Sequence, residues 1–231
     1  MERLGEILGQ SRDPETTPNL KTPDKPTYYH KKDDLDYHEP TPEERKEALR
    51  RRLNLTSWDN TFENFKPVKG VEESLTAFKE LASGNATWSM LLCYGSDGCG
   101  KTHLCEALSI EMAKREVLCR VNEWAEVVRD LKRRMHSEVT DDYDMQFRSF
   151  QKRDYLMLDD VGMGSTGSSW EWGELEEIIN YRYREGLFTV VTTNLDIKDV
   201  PRRIVSRFTD AVQSRLVLNS GGNYRPKKVI K

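Results

Sequence analysis

The chain has 231 residues, 36 Lys and Arg against 39 Asp and Glu, and a net charge of −3. That length holds one substantial domain with an appendage and excludes two large ones, and a balance this close to neutral confines any nucleic-acid binding to local basic patches. No apolar run approaches the ~20 residues of a membrane span, the N-terminus lacks a secretory apolar core, and the four cysteines match no zinc spacing, so a soluble protein of a reducing cytosol, without membrane contact, is expected.

Residues 1–57 hold six of the nine prolines and neither cysteine nor tryptophan. They read as a polar arm, with a short helix over Met1–Gln10 through Leu4, Ile7 and Leu8, then extended or disordered chain from Ser11 to Pro40. A helix to about Arg52 follows, because Thr41-Pro42-Glu43-Glu44 supplies an N-cap, a first-turn proline and a capping-box glutamate. The arm is either a solvated tether or a partner-docking segment anchored by Tyr28, Tyr29 and Tyr37. The body is expected over residues 58–220, with a basic tail over 221–231.

The body opens on Thr61-Phe62-Glu63-Asn64-Phe65, whose two phenylalanines are either core residues or contacts to a base. After Gly70, a helix presents Val71, Leu75, Phe78 and Ala82 on one face. The apolar run Trp88–Tyr94 reads as a strand, and Gly95, Ser96, Asp97, Gly98, Cys99, Gly100, Lys101 and Thr102 behind it fill the pattern G-x-x-x-x-G-K-[ST]. Such a loop needs glycines because its backbone must fold around phosphate oxygens and aim successive N–H groups at them. Lys101 then reaches the β- and γ-phosphates, and the Thr102 hydroxyl coordinates Mg²⁺. Leu104, Leu108 and Met112 continue as a helix. The bland alternative is a glycine turn with a stray lysine; the strand before it and the helix after it favour ATP with Mg²⁺.

Val117–Val121 reads as the next strand, with Asn122 capping a helix whose seam is Trp124, Val127, Val128, Leu131 and Met135. Arg129, Lys132 and Arg133 fall on its other faces, either as solvated surface or as cations that track phosphates. Tyr155–Val161 is a buried strand ending in two carboxylates. Opposite a phosphate loop, Asp159 would hold Mg²⁺ through water and Asp160 would orient or deprotonate the attacking water. A glycine- and serine-rich loop, residues 162–169, leads into Trp170 and Trp172 and a helix through Leu175, Ile178, Ile179 and Tyr183, stopped at Gly186. Trp170 either stacks on bases of a single strand or plugs the helix start onto the sheet. Leu187–Val191 is a further strand; Asn194 beyond it contacts the γ-phosphate or attacking water, or merely caps a turn. Arg203 and Arg207 share one face of a helix from Pro201 to Phe208 and have no evident use in their own pocket, which suits a finger supplied to a neighbour's nucleotide. Ala211–Leu218 closes the set as a last strand.

Together, Thr61–Phe65, Gly100-Lys101-Thr102-His103-Leu104, Leu158–Gly162, Thr192–Leu195 and Arg203–Phe208 resemble the AAA+ family, and within it the DnaC/IstB branch of helicase loaders and transposition helper ATPases. The resemblance runs over roughly residues 58–225. It implies an α/β fold with a five-stranded parallel P-loop sheet flanked by helices and no helical lid, nucleotide contact extending to His103, Asn194 as first sensor, and Arg203 or Arg207 as the finger. It also implies single-stranded DNA along the inner face of a spiral or ring-like oligomer. Asp160 stands where most of the family has glutamate, which implies slow hydrolysis.

The function expected first is an ATP-driven loader that assembles with a replicative DNA helicase and helps place it on single-stranded DNA. A transposase helper, a small-molecule kinase or non-oligomeric switch on the same loop, and a non-hydrolysing ATP-binding adaptor are the alternatives.

Overall fold

The computed structural model describes residues 39–162 and 168–223. The helix expected over Met1–Gln10, the three arm tyrosines, most of the glycine- and serine-rich loop and the tail from residue 224 lie outside the described residues. In chain order the elements are α1 (Pro42–Leu53), α2 (Glu72–Ser83), β1 (Met90–Tyr94), α3 (Lys101–Lys114), β2 (Val121–Glu123), α4 (Trp124–Arg134), α5 (Asp142–Lys152), β3 (Tyr155–Val161), α6 (Ser169–Arg184), β4 (Phe188–Thr193), α7 (Arg202–Phe208) and β5 (Ser214–Leu218). A short 3-10 turn at Ile197–Asp199 precedes α7.

The five strands form the expected parallel sheet in the order β2-β3-β4-β1-β5. Parallel neighbours require crossovers, and helices supply them on both faces. Strand residues alternate accordingly. Leu91 and Cys93 of β1 and Met157 of β3 join the core under α2 and α3, whereas Met90, Leu92, Leu156 and Leu158 join the core under α4, α6 and α7. From β1 the chain crosses by way of α3 to β2 at the far edge and returns through β3 to β4, beside β1, before passing to β5. The connections leaving the neighbours β1 and β4 thus run in opposite directions, a reversal between adjacent strands. In open α/β sheets, that reversal opens a crevice at the carboxyl ends of the strands.

The capping box forms as the sequence predicts: the Thr41 hydroxyl accepts the Glu44 amide at 3.2 Å, and the Thr41 amide donates to Glu44 Oε2 at 2.7 Å. The helix it starts is not separate from the body. Residues from Pro40 onward form one compact unit, and Leu53 and Leu55 are buried in the same core cluster as Leu104 and Leu108 of α3. The body thus takes in residues assigned above to the arm, because a helix of poor overall apolarity still ends on buried leucines.

Other boundaries move for identifiable reasons. β2 lies at Val121–Glu123, not Val117–Val121, since pairing begins only where Val121 comes opposite Met157. Asn122 is therefore a strand residue and not a helix cap; its side-chain amide donates to the Met157 carbonyl at 2.9 Å. Met135 leaves the apolar seam of α4 and is 52% exposed. β4 runs on to Thr193, and α5 was not anticipated.

Arg182 of α6 is fully buried and donates to carbonyls of Phe150, Gln151 and Arg153 at 2.7–3.1 Å and of Phe188 at 2.6 Å. It thereby closes the carboxyl end of α5, whose last carbonyls have no helical partner. Burial pushes its guanidinium down to about 10. No helix among the described residues is long and apolar enough to cross a membrane.

Replacing Arg182 by Leu strands several buried carbonyls at once and should cost about 3 kcal/mol or more. Thr41→Ala, which removes one exposed cap, should cost about 1 kcal/mol. Urea unfolding of the two variants checks both the sizes and their order.

Candidate nucleotide site at the carboxyl ends of the central strands

The phosphate loop leaves β1 at Tyr94 and enters α3 at Lys101. Gly98 and Gly100 sit at φ +74° and +90°, the left-handed region that glycine adopts without strain. A Cβ on Gly98 would also come within 2.2 Å of the Asn223 side chain, and one on Gly95 within 1.9 Å of the Asn219 carbonyl. Gly95 is thus required by the chain that passes outside the loop after β5. The Asn219 amide donates to the Tyr94 carbonyl at 2.7 Å, and its buried side chain donates to the Cys99 carbonyl at 3.3 Å. No local sequence signal marks Asn219, because its partner stands 120 residues away.

Lys101 is buried, with Nζ 2.9 Å from the carbonyls of both Gly95 and Ser96 and 3.5 Å from Cys99 Sγ. The cation is therefore folded into the loop, whereas Ser96 and Asp97 face solvent. Thr102 Oγ1 donates to Asp159 Oδ2 at 2.7 Å, and Thr192 donates to the other carboxylate oxygen of Asp159. The Asp160 amide donates to Thr192 Oγ1 at 3.0 Å, and Asn194 Nδ2 donates to Asp160 Oδ1 at 2.5 Å. Burial first, and the neighbouring Asp159 charge second, raise the Asp160 carboxyl above its ordinary range.

These side chains border one cavity of about 350 Å³, with Lys101 and Thr102 on one wall, Asp159, Asp160 and Asn194 on another, and Phe65 at a third. His103 also borders it, but its Nε2 lies 2.8 Å from the Thr61 carbonyl. A carbonyl only accepts, so that nitrogen carries the proton. Phe62 and Phe65 are both buried in the core, and Phe65 serves the cavity as well.

The remaining candidates lie elsewhere. Arg203 and Arg207 do not border this cavity; Arg203 Nη1 is 3.2 Å from Glu176, and Arg207 Nε donates to Asn180 at 2.8 Å. Lys132 pairs with Glu171 at 2.7 Å and lies over the Trp170 ring at 5.5 Å. Trp170 is half-buried against the core under α6, so the helix-plug alternative describes its packing. Arg129 is exposed, and Arg133 is 77% exposed beside Asp130. Of these α4 cations, Lys132 is thus paired with a buried carboxylate, whereas Arg129 and Arg133 lie at the surface. All four cysteines are buried and free, and no cluster of three or more metal-binding side chains occurs among the described residues.

A parallel sheet of this order, with a glycine-rich loop and its Lys-Thr pair after β1 and two aspartates near the end of β3, defines a P-loop protein of the AAA+ class. Residues 56–217 match the family model of the bacterial DnaA ATPase domain, and the chain belongs to that family. The chromosomal replication initiator DnaA of Pseudothermotoga lettingae is 31% identical over 167 residues, a match spanning 68% of this chain and 36% of the relative. The fold is similar to AMPPCP-bound DnaA from Aquifex aeolicus, with a TM-score of 0.59 and 24% identity over 71% of this chain and 50% of that one. It is equally similar to a DnaC helicase loader, with a TM-score of 0.59 and 21% identity over 71% of this chain and 98% of that one. The chain spans about a third of the length of the curated relatives it matches.

Gly98→Ala places a side chain at positive φ and against Asn223, so the loop must shift. ATP affinity should fall at least about tenfold while the unfolding midpoint stays within a few degrees of wild type, since the strain is local. Titration calorimetry and thermal unfolding of one preparation check this together.

Proposed function

We propose that this chain is an ATP-dependent helicase loader, which assembles with a replicative DNA helicase and helps place it on single-stranded DNA. The observation that carries the ATPase part is the single cavity that sets Lys101 and Thr102 against Asp159, Asp160 and Asn194. Support for the loader part comes from the likeness to a DnaC helicase loader, nearly all of whose chain is covered.

In this reading the loop amides and the start of α3 receive the phosphates. Lys101 exchanges two loop carbonyls for phosphate oxygens, which are stronger acceptors for a cation. Thr102 and Asp159 fit a magnesium ion, because one hydroxyl and one carboxylate suffice for a cation that otherwise keeps waters and phosphate oxygens. When bound, Mg²⁺ offsets charge on the β- and γ-oxygens. Thr102 can keep donating its proton to Asp159 while its oxygen faces the ion. Asp160, oriented by Asn194 and by the hydrogen bond from its backbone N–H to Thr192, aligns the attacking water, and Asn194 reports on the γ-phosphate. Arg203 or Arg207 completes the site of a neighbouring copy, and the exposed α4 cations Arg129 and Arg133 meet DNA phosphates.

A DnaA-type initiator is the second reading, favoured by the family match itself. Retention on an immobilised replicative helicase in ATP, weakened in Lys101→Ala, is the result expected of a loader. Retention on duplex origin DNA with none on the helicase would favour the initiator.

Asp160→Asn should bind ATP with Mg²⁺ as wild type does and lose turnover at least about a hundredfold, within the range for removing a positioned base. Loss of binding as well would show that Asp160, not Asp159, holds the ion. Turnover and equilibrium binding on the same variant make the distinction.

A finger in trans makes turnover per molecule fall on dilution while ATP binding does not. Mixing Lys101→Ala protein with Arg203→Ala or Arg207→Ala protein should restore part of the turnover, and more with one arginine variant than with the other. Turnover independent of concentration, with no rescue in either mixture, would leave each chain working alone as a switch or kinase.

A further inference from the structure

Glu106 lies on α3, one turn beyond the phosphate-binding residues, and is 1% exposed. A buried carboxylate is tolerated only when donors surround it. Among the described residues, its hydrogen bonds come from one short stretch far upstream. The Thr56 amide and hydroxyl reach Oε1 at 3.0 and 2.7 Å, and the Ser57 amide and Asn60 Nδ2 reach Oε2 at 3.3 and 2.9 Å. Three residues earlier, on the same side of the helix, His103 holds the Thr61 carbonyl at 2.8 Å and packs edge-on against Phe65, with ring centres 5.1 Å apart. The stretch held in this way then delivers Asn64, Phe65 and Lys66 to the border of the cavity.

We infer that Glu106 is a positioning residue for the nucleotide: it clamps residues 56–66 to the phosphate-loop helix and so fixes the wall that receives the sugar and base. The inference rests on the nucleotide reading of the cavity. Phosphates seated on the loop leave the sugar and base in the remainder of the space, where residues 64–66 form the border. The phosphate end and this wall are then carried by one helix, and their spacing is set by side chains at positions 103 and 106. Glu106 touches no phosphate in this arrangement, so its loss should weaken recognition of the organic half of the ligand only.

The test compares a fluorescent ATP analogue with inorganic tripolyphosphate, each titrated directly into the full chain. In Glu106→Gln one acceptor oxygen becomes a donor that faces other donors, and affinity for the analogue should fall about tenfold while tripolyphosphate affinity stays within about twofold. Asn60→Ala removes the clamp from the opposite side without disturbing α3, and should act in the same direction. It decides the matter if Glu106→Gln does not fold. Equal loss of both ligands, or full retention of the analogue in folded variants, would overturn the clamp while leaving nucleotide binding intact. A wild-type chain that binds neither ligand would overturn the nucleotide reading, and the clamp with it.

Discussion

Because the Asp159 carboxylate is 5% exposed at the end of β3, it must find its donors inside the protein, and those it finds fix the geometry of the site. One comes from Thr102 at the start of α3 and one from Thr192 in β4, while Cys105 Sγ stands 3.7 Å away. Three elements distant in sequence thus converge on one group. Removing either hydroxyl would leave a buried charge short of a donor, a cost well above that of an exposed hydrogen bond. The same network that satisfies the carboxylate in the described structure brings a hydroxyl oxygen and a carboxylate oxygen to 2.7 Å, a spacing that suits two neighbouring positions around a hard cation.

Two successive aspartates in a regular strand would point to opposite faces of the sheet. They do not here, because Asp160 adopts φ +59° and the β3–β4 register shifts between Leu158 and Val161. Left-handed geometry is costly for most side chains and least so for Asn and Asp, which is a local reason for a short carboxylate at this position. The conformation is held by the Asp160 amide on Thr192 and the carboxyl on Asn194. Both carboxylates consequently border the same cavity, and the irregularity is what makes an acid pair of them.

Features governed by local chemistry were legible in the sequence. The phosphate loop, the Thr41 capping box and the apolar strand before Asp159 each depend on residues within a few positions, and each is present. The alternation of apolar strands with helical patterns was legible over many residues, while the five-stranded parallel sheet was expected from the family resemblance and is present. Arg182, Glu106 and Asn219 were not legible, because each is a polar side chain whose partners are brought close only by the finished fold. Arg182 meets carbonyls about thirty residues upstream, and Glu106 meets Thr56 fifty residues upstream. The helix α5 was missed for a different reason: only Phe147 and Phe150 of its eleven residues are buried, too few to establish a period. At α4, the seam was extended one step too far to Met135, which lies past the last helical residue.

Arg203 and Arg207 looked equivalent in the sequence, four residues apart on one face, and the structure separates them. Arg207 is engaged on two sides, with a 2.8 Å hydrogen bond to Asn180 and its guanidinium 5.2 Å from the Tyr183 ring centre. Tyr183 in turn donates to Asp210 at 2.6 Å. Arg203 has an 82% exposed side chain and a single 3.2 Å pairing with Glu176, a kind of surface ion pair that contributes little and is readily exchanged. For the proposed role in a neighbour's site, Arg203 can therefore leave its present partner at small cost. Arg207 would have to give up a hydrogen bond and a ring contact, which also anchor α7 on α6. The same logic sorts the α4 cations: Lys132 is committed to the buried Glu171 and to Trp170, while Arg129 and Arg133 stay on the surface. In each set, the residues bound least tightly within their own chain are those that would give up least in the proposed contacts with another molecule.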